Sequence, residues 1–398
     1  MAKLIEITGK ALSGEWGSDD TVGNGIPVLR TTNFTNDGIV DYQNVVTRII
    51  NKKNIEEKYL RNGDVIIEKS GGSDKQPVGR VVYFNGEENT FLFNNFTGVL
   101  RVKDDSKWYS RYVFYSLFSN YRNGGTRRFE NKTTGLHNLK IDDYVSSFEI
   151  IELPMYEQKD ICRKLDKIQE IIALRKKQLI ELDMFIKARF VEMFGDITVN
   201  NKGLLCKSMV DICEIIDGDR GKNYPKQEDF FSQEYCLFLN TKNVTISGFN
   251  FDECSFITKE KDESLRKGKL RRGDIVLTTR GTIGNLAFYD ELVPYDNVRI
   301  NSGMVILRMN RTMIAEIFFI EQFKMLLQEI KREIASGSAQ PQLPISTMKN
   351  IKLVIPELKE QEAFSAFVKQ ISKSKLSVQK SLEKLETLNK ALMQKYFG

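Results

Sequence analysis

Hydrophobic and polar positions follow the same order in two parts of the chain. Short runs rich in β-branched residues predict strands at 64–67, 80–84 and 98–102, and again at 274–277, 285–289 and 304–309. Residues 109–119 and 314–330 have the apolar spacing of helices. The front part of each half is therefore predicted to be an α+β domain.

A long helix is predicted behind each front domain. Pro154 and Pro356 each stand shortly before a Glu-Gln pair, and both proline and an early glutamate suit the first turn of a helix. No further proline or glycine occurs until Gly195 or Gly398. The uninterrupted run of roughly 36 residues would form a helix of about 54 Å, a length typical of a coiled coil.

Both long helices carry an apolar stripe with a 3-4-3-4 spacing. The stripe residues are Leu165, Ile168, Ile172, Leu179, Leu182 and Ile186 in the first helix, and Val368, Ile371, Val378, Leu382 and Leu385 in the second. Polar residues interrupt the stripes at Arg175, Lys375 and Asn389, and such interruptions tend to fix register and pairing.

Two arrangements of these helices are compatible with the stripes. Each helix could pack only on its own front domain. We favour an antiparallel coiled coil of the two helices, because the stripes match position by position and each helix is too long for one small domain to cover. This pairing would place the two front domains at opposite ends of a rod.

The two halves also share motifs in the same order, which indicates an internal duplication. Residues 60–67 match 270–277 in the pattern Leu-x-x-Gly-Asp followed by aliphatic residues. Residues 157–195 match 360–398 without a gap, from the Glu-Gln pair to a final Phe-Gly. The domain boundaries predicted from the repeats are 1–153 and 204–355 for the front domains, and 154–195 and 356–398 for the helices.

Composition excludes several protein classes. The 398 residues include 59 Lys and Arg against 53 Asp and Glu, and the net charge of +6 permits nucleic-acid binding without demonstrating it. The sequence contains no apolar run of membrane-spanning length, and its first residues lack the apolar stretch of a signal peptide, so we expect neither a membrane helix nor a signal peptide. The five cysteines are scattered and form no CxxC pair, so we expect a cytoplasmic protein without a disulfide framework or zinc site.

The sequence offers no convincing catalytic constellation. His137 is the only histidine, which excludes chemistry that needs two imidazoles, and no nucleophile-elbow, phosphate-loop or dinucleotide motif is present. A nuclease arrangement built on Asp64 and the Glu-Lys pair after it fails, because the second half has Thr278 and Thr279 in place of that pair. We therefore expect no catalytic residue and no metal ligand, and interpret Leu-x-x-Gly-Asp as a turn before a buried strand.

Polar, basic and glycine-containing stretches predict loops suited to DNA. They lie at 70–76, 124–134, 219–226, 278–282 and 336–342. Arg and Lys pair with guanine, Asn and Gln with adenine, and Ser and Thr with bases or phosphates. The DNA-binding candidates are Lys69, Ser70, Lys75, Arg80, Arg127, Arg128, Asn131, Lys132, Arg220, Lys222, Asn223, Lys226, Thr278, Thr279, Arg280, Ser338, Gln340 and Gln342. A solvated loop explains any single candidate equally well, but the set together with the duplicated rod favours DNA.

The ordered pair of units resembles the specificity (S) subunit of Type I restriction-modification systems. The resemblance is carried by the Leu-x-x-Gly-Asp motif, the proline and Glu-Gln pair before each long helix, the Phe-Gly ends and the tandem repetition. Residues 340–344, 351–355 and 360–361 are close to the usual end-of-domain pattern of this family. The first unit departs from that pattern at 135–139, where Gly-Leu-His-Asn-Leu replaces Gln-Pro-Gln-Leu-Pro.

The resemblance implies that 1–153 and 204–355 are target recognition domains and that 154–195 and 356–398 are spacer helices. Such a protein recognises a bipartite DNA sequence, one half-site per domain. Two modification subunits would bind S-adenosylmethionine and methylate adenine, and restriction subunits using ATP and magnesium would join them for cleavage. No cofactor is expected on this chain. The alternatives are a coiled-coil scaffold that does not bind DNA and, less favoured, a DNA enzyme acting alone.

Overall fold

The structure, a computed structural model, describes residues 1–133, 136–335 and 342–398. The chain forms two compact units. Unit 1 consists of Met1–Lys176 together with Gln379–Gly398, and unit 2 consists of Lys177–Val378. The long helices Met155–Phe194 and Leu358–Phe397 each supply residues to both units.

The described part of unit 1 is built around small sheets whose strands are antiparallel, except that Ile26–Leu29 and Leu92–Phe93 pair in parallel. A four-stranded sheet has the order Leu12–Ser13, Thr97–Leu100, Val65–Glu68, Val81–Tyr83, and a second has the order Ser18–Asp19, Val46–Ile49, Ile26–Leu29, Leu92–Phe93. A three-stranded sheet has the order Glu130–Thr133, Leu136–Leu139, Ser70–Gly72, and Ala2–Lys3 pairs with Glu149–Ile150. The α-helices of its front part are Leu4–Thr8, Ser110–Arg122 and Ile141–Ser147.

Unit 2 repeats this plan in the residues that the structure describes. Its four-stranded antiparallel sheet has the order Cys213–Asp217, Met304–Met309, Ile275–Thr278, Leu286–Phe288. The other strands pair as Phe256–Ile257, Cys236–Leu239 and Val298–Ile300, as Val244–Thr245 with Gly248–Phe249, and as Cys206–Ser208 with Lys352–Val354. The α-helices of the front part are Met209–Ile212, Lys259–Ser264, Glu316–Ala335 and Ile345–Asn350.

The long helices pack against each other in unit 1 with opposite directions. The beginning of one helix, at Cys162 and Leu165, shares a core with the end of the other, at Tyr396 and Phe397. Further along, Lys176 Nζ lies 3.6 Å from Glu386 Oε1. The contact is antiparallel, because residues later in the first helix contact residues earlier in the second helix.

Unit 2 contains an antiparallel contact of the same kind. Lys375 donates a hydrogen bond to Asp183, and the rings of Phe190 and Phe364 are 5.3 Å apart. Both phenylalanines are fully buried in the core of unit 2. The polar interruption predicted at Lys375 is therefore an interhelical ion pair, as expected for a residue that fixes register.

The structure confirms the predicted α+β class, the duplicated fronts, the two long helices and their antiparallel pairing. It corrects the loops expected at 70–76 and 124–134, since Ser70–Gly72 and Glu130–Thr133 are strands. These strands are held by backbone pairing with Leu136–Leu139 and have polar residues on both faces, so they lack the apolar alternation that predicts a strand. Among the described helices, none is long and apolar enough to cross a membrane.

Candidate nucleic-acid interface

The two fronts share an ion pair between a buried aspartate of the Leu-x-x-Gly-Asp motif and a partly buried arginine. Arg101 donates to both carboxylate oxygens of Asp64, from Nε at 2.8 Å and from Nη2 at 2.7 Å. Arg308 donates to both carboxylate oxygens of Asp274 in the same way, from Nε at 2.9 Å and from Nη2 at 2.8 Å. Each aspartate also accepts the backbone N–H of the residue three positions before it, which closes the turn. The predicted structural role of this motif is confirmed.

A second shared device fixes the start of each long helix. Gln158 is fully buried, and its Oε1 accepts the N–H of Tyr109 at 2.9 Å. Its Nε2 donates to the carbonyls of Lys107 and Leu153. Gln361 makes the equivalent three bonds in unit 2. The Glu-Gln pair of the sequence therefore locks each long helix onto the front domain of its unit.

At the end of the strand Ile275–Thr278 of unit 2, four separate segments of the chain meet. The carbonyl of Gly303 accepts the N–H groups of Thr279 at 2.8 Å and Arg280 at 3.3 Å. Arg280 also forms a β-bridge with Gln342. Arg220 donates to the carbonyl of Ser302 at 3.3 Å and is exposed, as are Arg280 and Gln342. Three predicted DNA-binding candidates thus converge, and they line a cleft of about 220 Å³.

The same junction exists in unit 1 with different residues. The carbonyl of Phe96 accepts the N–H groups of Lys69 at 2.8 Å and Ser70 at 3.2 Å. Asn138 pairs with Ser70. The N–H of Leu139 bonds to the carbonyl of Lys69, as Leu343 bonds to Thr279 in unit 2. We call these two junctions the recognition edges: residues 69–70, 96 and 138 in unit 1, and 279–280, 303 and 342 in unit 2.

The remaining candidates of unit 1 lie on the adjoining sheet and its approaches. Arg127 and Arg128 occupy a single 3-10 turn just before the strand Glu130–Thr133, and both side chains are exposed. Arg127 Nη2 donates to the carbonyl of Asp74 at 3.5 Å, which links the two stretches predicted separately. Lys75 and Asn131 are also exposed, whereas the Lys132 side chain lies outside the described residues.

His137 has a structural position in this sheet. Its Nδ1 lies 3.1 Å from Glu130 Oε2, and its Nε2 lies 3.6 Å from Asp74 Oδ1. The imidazole is buried, and Glu130 also accepts the N–H of Val78 at 3.1 Å. His137 and Glu130 therefore connect the hairpin to the segment 74–78.

Several candidates belong to the framework. Thr278 is fully buried, with its hydroxyl bonded to the carbonyl of Thr282 and to the N–H of Asn285. The hydroxyl of Thr279 is buried against the Gly303 carbonyl at 3.0 Å. Their side chains are not available to a DNA molecule, because a buried strand end holds them.

Arg80 is also engaged inside unit 1. It donates to the carbonyls of Phe34 at 3.1 Å and Thr31 at 2.9 Å, and to Glu68 at 3.4 Å. Burial raises the pKa of Glu68, an effect that the Arg80 charge opposes. Lys69 is half-buried, and burial lowers its pKa.

The other candidates of unit 2 are exposed or undescribed. Lys222, Asn223 and Lys226 are exposed, and Asn223 donates to the carbonyl of Ser264 at 3.1 Å. Ser338 and Gln340 lie outside the described residues.

Sequence reasoning missed three kinds of residue. Arg101 and Arg308 each lie far along the chain from the aspartate that they bind, so no local pattern reveals them. Asn138 was overlooked because the aligned stretches 135–139 and 340–344 set His137 against Gln342, and only the backbone bonds of Leu139 and Leu343 show that Asn138 is the counterpart of Gln342. Phe96 was missed because a single apolar residue between Asn95 and Thr97 gives no DNA-binding signal.

The described residues contain no cluster of three or more His, Cys, Asp or Glu arranged to hold a metal ion. Burial raises the pKa of the Cys162, Cys213 and Cys236 thiols to about 12. Thiols with such pKa values are poor nucleophiles at neutral pH. The exposed chemistry of the recognition edges is that of hydrogen bonding and positive charge, which suits DNA bases and phosphates.

Comparison with known proteins gives a consistent result. A protein-family model described as the Type I restriction modification DNA specificity domain matches residues 2–184 and again 206–387. The Type I restriction enzyme MjaVIII specificity subunit of Methanocaldococcus jannaschii is 24% identical over 298 residues, covering 71% of this chain and 68% of that protein.

Two solved structures share the fold over the whole chain. The S subunit of a Type I restriction-modification system from M. genitalium superposes with a TM-score of 0.62 at 16% identity, covering 100% of this chain and 95% of that one. A chain from a structure on complex assembly and conformational transition of the type I R-M system gives 0.54 at 15% identity, covering 100% and 96%.

Proposed function

The chain belongs to the Type I restriction-modification DNA specificity family, and we propose that its two units recognise the two halves of one bipartite DNA site. As a specificity subunit, it is the non-catalytic component that recognises DNA sequence in a Type I restriction-modification complex. Under the proposal, each unit contributes one half-site and the sequence between the half-sites is unspecified.

One observation supports this proposal above the others: the two units repeat a framework and vary at its edge. Asp64 with Arg101 and Asp274 with Arg308 are the same ion pair. In contrast, Ser70, Phe96 and Asn138 in unit 1 stand where unit 2 has Arg280, Gly303 and Gln342. Two related domains that recognise different base sequences need the same framework with different residues at its edge. Contacts to bases determine which sequence is recognised, whereas contacts to phosphates only position the protein on the DNA.

We further propose that two modification subunits and, for cleavage, restriction subunits assemble with this chain. S-adenosylmethionine would bind to the modification subunits, which methylate adenine, and ATP with magnesium would serve the restriction subunits. The recognition edges support the DNA-binding part of this proposal, since they offer polar and cationic groups. We propose a cytoplasmic location, in keeping with five free cysteines, all within the described residues.

The test is a reciprocal exchange of front domains. Residues 204–355 would be replaced by the matching segment of a relative that methylates a different site, and the genome of the host would be sequenced for methylated adenine. We expect one half-site to change while the other and the spacing stay the same. The matched control replaces 1–153 instead, and it should change only the other half-site.

Two outcomes would contradict the proposal. If each exchange altered both half-sites, the units would not read independently. If the assembled complex showed no preference among random DNA sequences, the scaffold alternative would replace DNA recognition. A chimera that fails to fold is recognised by its loss of assembly with the modification subunit, so each exchange is tested with several donor relatives until folded chimeras of both kinds are obtained.

A further inference from the structure

The recognition edge of unit 1 carries an exposed aromatic side chain. Phe96 is 51% exposed, although its carbonyl is fixed by hydrogen bonds from Lys69 and Ser70. Single exposed apolar residues are common on protein surfaces and need no explanation by themselves. The position of Phe96 needs one, because its neighbours at this edge are hydrogen-bonding and cationic residues.

Strand register makes Gly303 the counterpart of Phe96 in unit 2. Thr97 pairs with Glu68 in unit 1, and Met304 pairs with Thr278 in unit 2, so the residues just before Thr97 and Met304 are equivalent. Both carbonyls accept the same two N–H groups from the opposite strand end. The backbone is therefore the same at this point, and only the side chains differ.

The side chains at the two edges are complementary in size. A Cβ placed on Gly303 would lie 3.9 Å from the Cβ of Arg280, so side chains at these two positions are direct neighbours. Unit 2 combines Gly303 with the long Arg280, whereas unit 1 combines the large Phe96 with the small Ser70. One large side chain projects from each edge, but it comes from opposite positions of the pair.

We propose that these two positions form a specificity pair, in which Phe96 contacts the C5-methyl group of a thymine in the half-site of unit 1 and Arg280 supplies the corresponding base contact in unit 2. The inference rests on the proposed function. Thymine is the base that presents a methyl group in the major groove, where apolar side chains contact it. Ser70, whose N–H bonds to the Phe96 carbonyl, and Asn138, which pairs with Ser70, add groups at the same edge that can hydrogen-bond to neighbouring base edges.

The experiment uses the chain assembled with its modification subunits and DNA in which single thymines are replaced by deoxyuridine, which lacks the methyl group. For the unsubstituted protein, replacing one particular thymine of the unit 1 half-site by deoxyuridine should weaken DNA binding about fourfold. This is the factor expected for the loss of one buried methyl group. For Phe96→Ala, the same replacement should have no effect. In DNA that carries a cytosine at the position of this thymine, 5-methylcytosine at the same position should restore binding, because it returns the C5-methyl group.

Phe231→Ala is the matched control, since Phe231 is 44% exposed in unit 2. Phe231→Ala should leave unchanged the effect of each thymine-to-deoxyuridine replacement in the unit 1 half-site on binding. A double change of Ser70→Arg with Phe96→Gly gives unit 1 the same specificity pair as unit 2, and it should replace the thymine preference by the base preference measured for Arg280.

The inference is overturned if Phe96→Ala retains the thymine sensitivity of the unsubstituted protein. It is also overturned if the unit 1 half-site contains no thymine on either strand or if no deoxyuridine replacement weakens binding. All of these results assume that two half-sites are measurable, and they leave the proposed function intact. Absence of any half-site preference in the unsubstituted complex would instead contradict the proposed function itself.

Discussion

Gln361 holds the approach to the helix Glu316–Ala335, because its Oε1 accepts the N–H of Ala315 at 3.0 Å. Its Nε2 donates to the carbonyls of Met313 at 3.0 Å and Pro356 at 2.8 Å. One fully buried carboxamide on the long helix Leu358–Phe397 therefore bonds both to the segment that leads into the helix Glu316–Ala335 and to the residue Pro356 just before the long helix.

Gln361→Met should destabilise unit 2 strongly. Methionine fills a similar volume but leaves three backbone groups without their partner, so we expect a loss of about 3 kcal/mol in unfolding free energy. Chemical denaturation measures it. Gln370→Met, at an exposed position of the same helix, is the control and should change stability by less than about 0.5 kcal/mol. Equal stabilities of the two variants would show that water replaces the lost bonds.

Asp64→Asn should destabilise unit 1. The substitution leaves the Arg101 charge without its carboxylate partner beside a side chain that is only 2% exposed, and we expect a cost of about 3 kcal/mol. The exposed pair of Lys242 and Glu253 provides the comparison, since Lys242→Ala should cost less than about 0.5 kcal/mol. A melting temperature for Asp64→Asn close to that of Lys242→Ala would contradict a structural role for the ion pair.

Local pattern was enough to predict most of the framework. The strand Met304–Met309 and the long helices follow from continuous apolar spacing, which the structure retains. The partner of Asp64 did not follow, because Arg101 reaches it through a strand pairing that only the fold creates. The polar strand Glu130–Thr133 was interpreted as a loop, since its stability comes from backbone pairing and not from a buried face.

Arg280→Ala should relax one base position of one half-site. The side chain is exposed, so unfolding free energy should stay within about 0.5 kcal/mol of the unsubstituted protein, while the preferred base loses about 1–3 kcal/mol of discrimination. Competition binding with single-base variants measures this. Lys259→Ala, an exposed cation on the helix Lys259–Ser264, should leave base preferences unchanged.

Two other results for Arg280→Ala would assign it a different role. Even weakening across all sequences, with a smaller dependence on salt, would indicate a phosphate contact. A lower melting temperature would indicate that Arg280 supports the turn after the strand Ile275–Thr278.

Glu68 should make the stability of unit 1 depend on pH. Burial raises its pKa above the ordinary 4.5, so the stability gained from the protonated form is present below that pH and is lost as pH rises through the folded-state pKa. Glu68→Gln cannot ionise, so the difference between its unfolding free energy and that of the unsubstituted protein should grow in favour of the variant as pH rises above 4.5, until the folded-state pKa of Glu68 is passed.

Denaturation of both proteins across this pH range tests the prediction for Glu68. Glu87→Gln, at an exposed carboxyl, controls for the loss of one charge. An advantage of Glu68→Gln that shrinks as pH rises would mean that the Arg80 charge outweighs burial, and that the pKa of Glu68 is lowered.

The candidate interface was predictable only in part. Arg220, Arg280 and Gln342 were selected by residue type, and the fold brings them to one edge. Thr278 was selected for the same reason but is buried, because position on a strand end, and not residue type, decides exposure. Phe96 becomes visible as a candidate only when the backbone bonds of the two units are compared.

The placement of Phe397 has a consequence for the order in which the protein forms on the ribosome. Its ring lies 5.2 Å from that of Tyr112, and residues 379–398 belong to the unit that starts at Met1. The residues of unit 2 are complete once position 378 has been translated, whereas unit 1 waits for the last helical turns to emerge. A messenger RNA truncated after the codon for position 378 would therefore yield a chain that lacks residues 379–398. The front domain of unit 1, which is translated first, would then still expose Tyr112 and Tyr115 to chaperones and proteases.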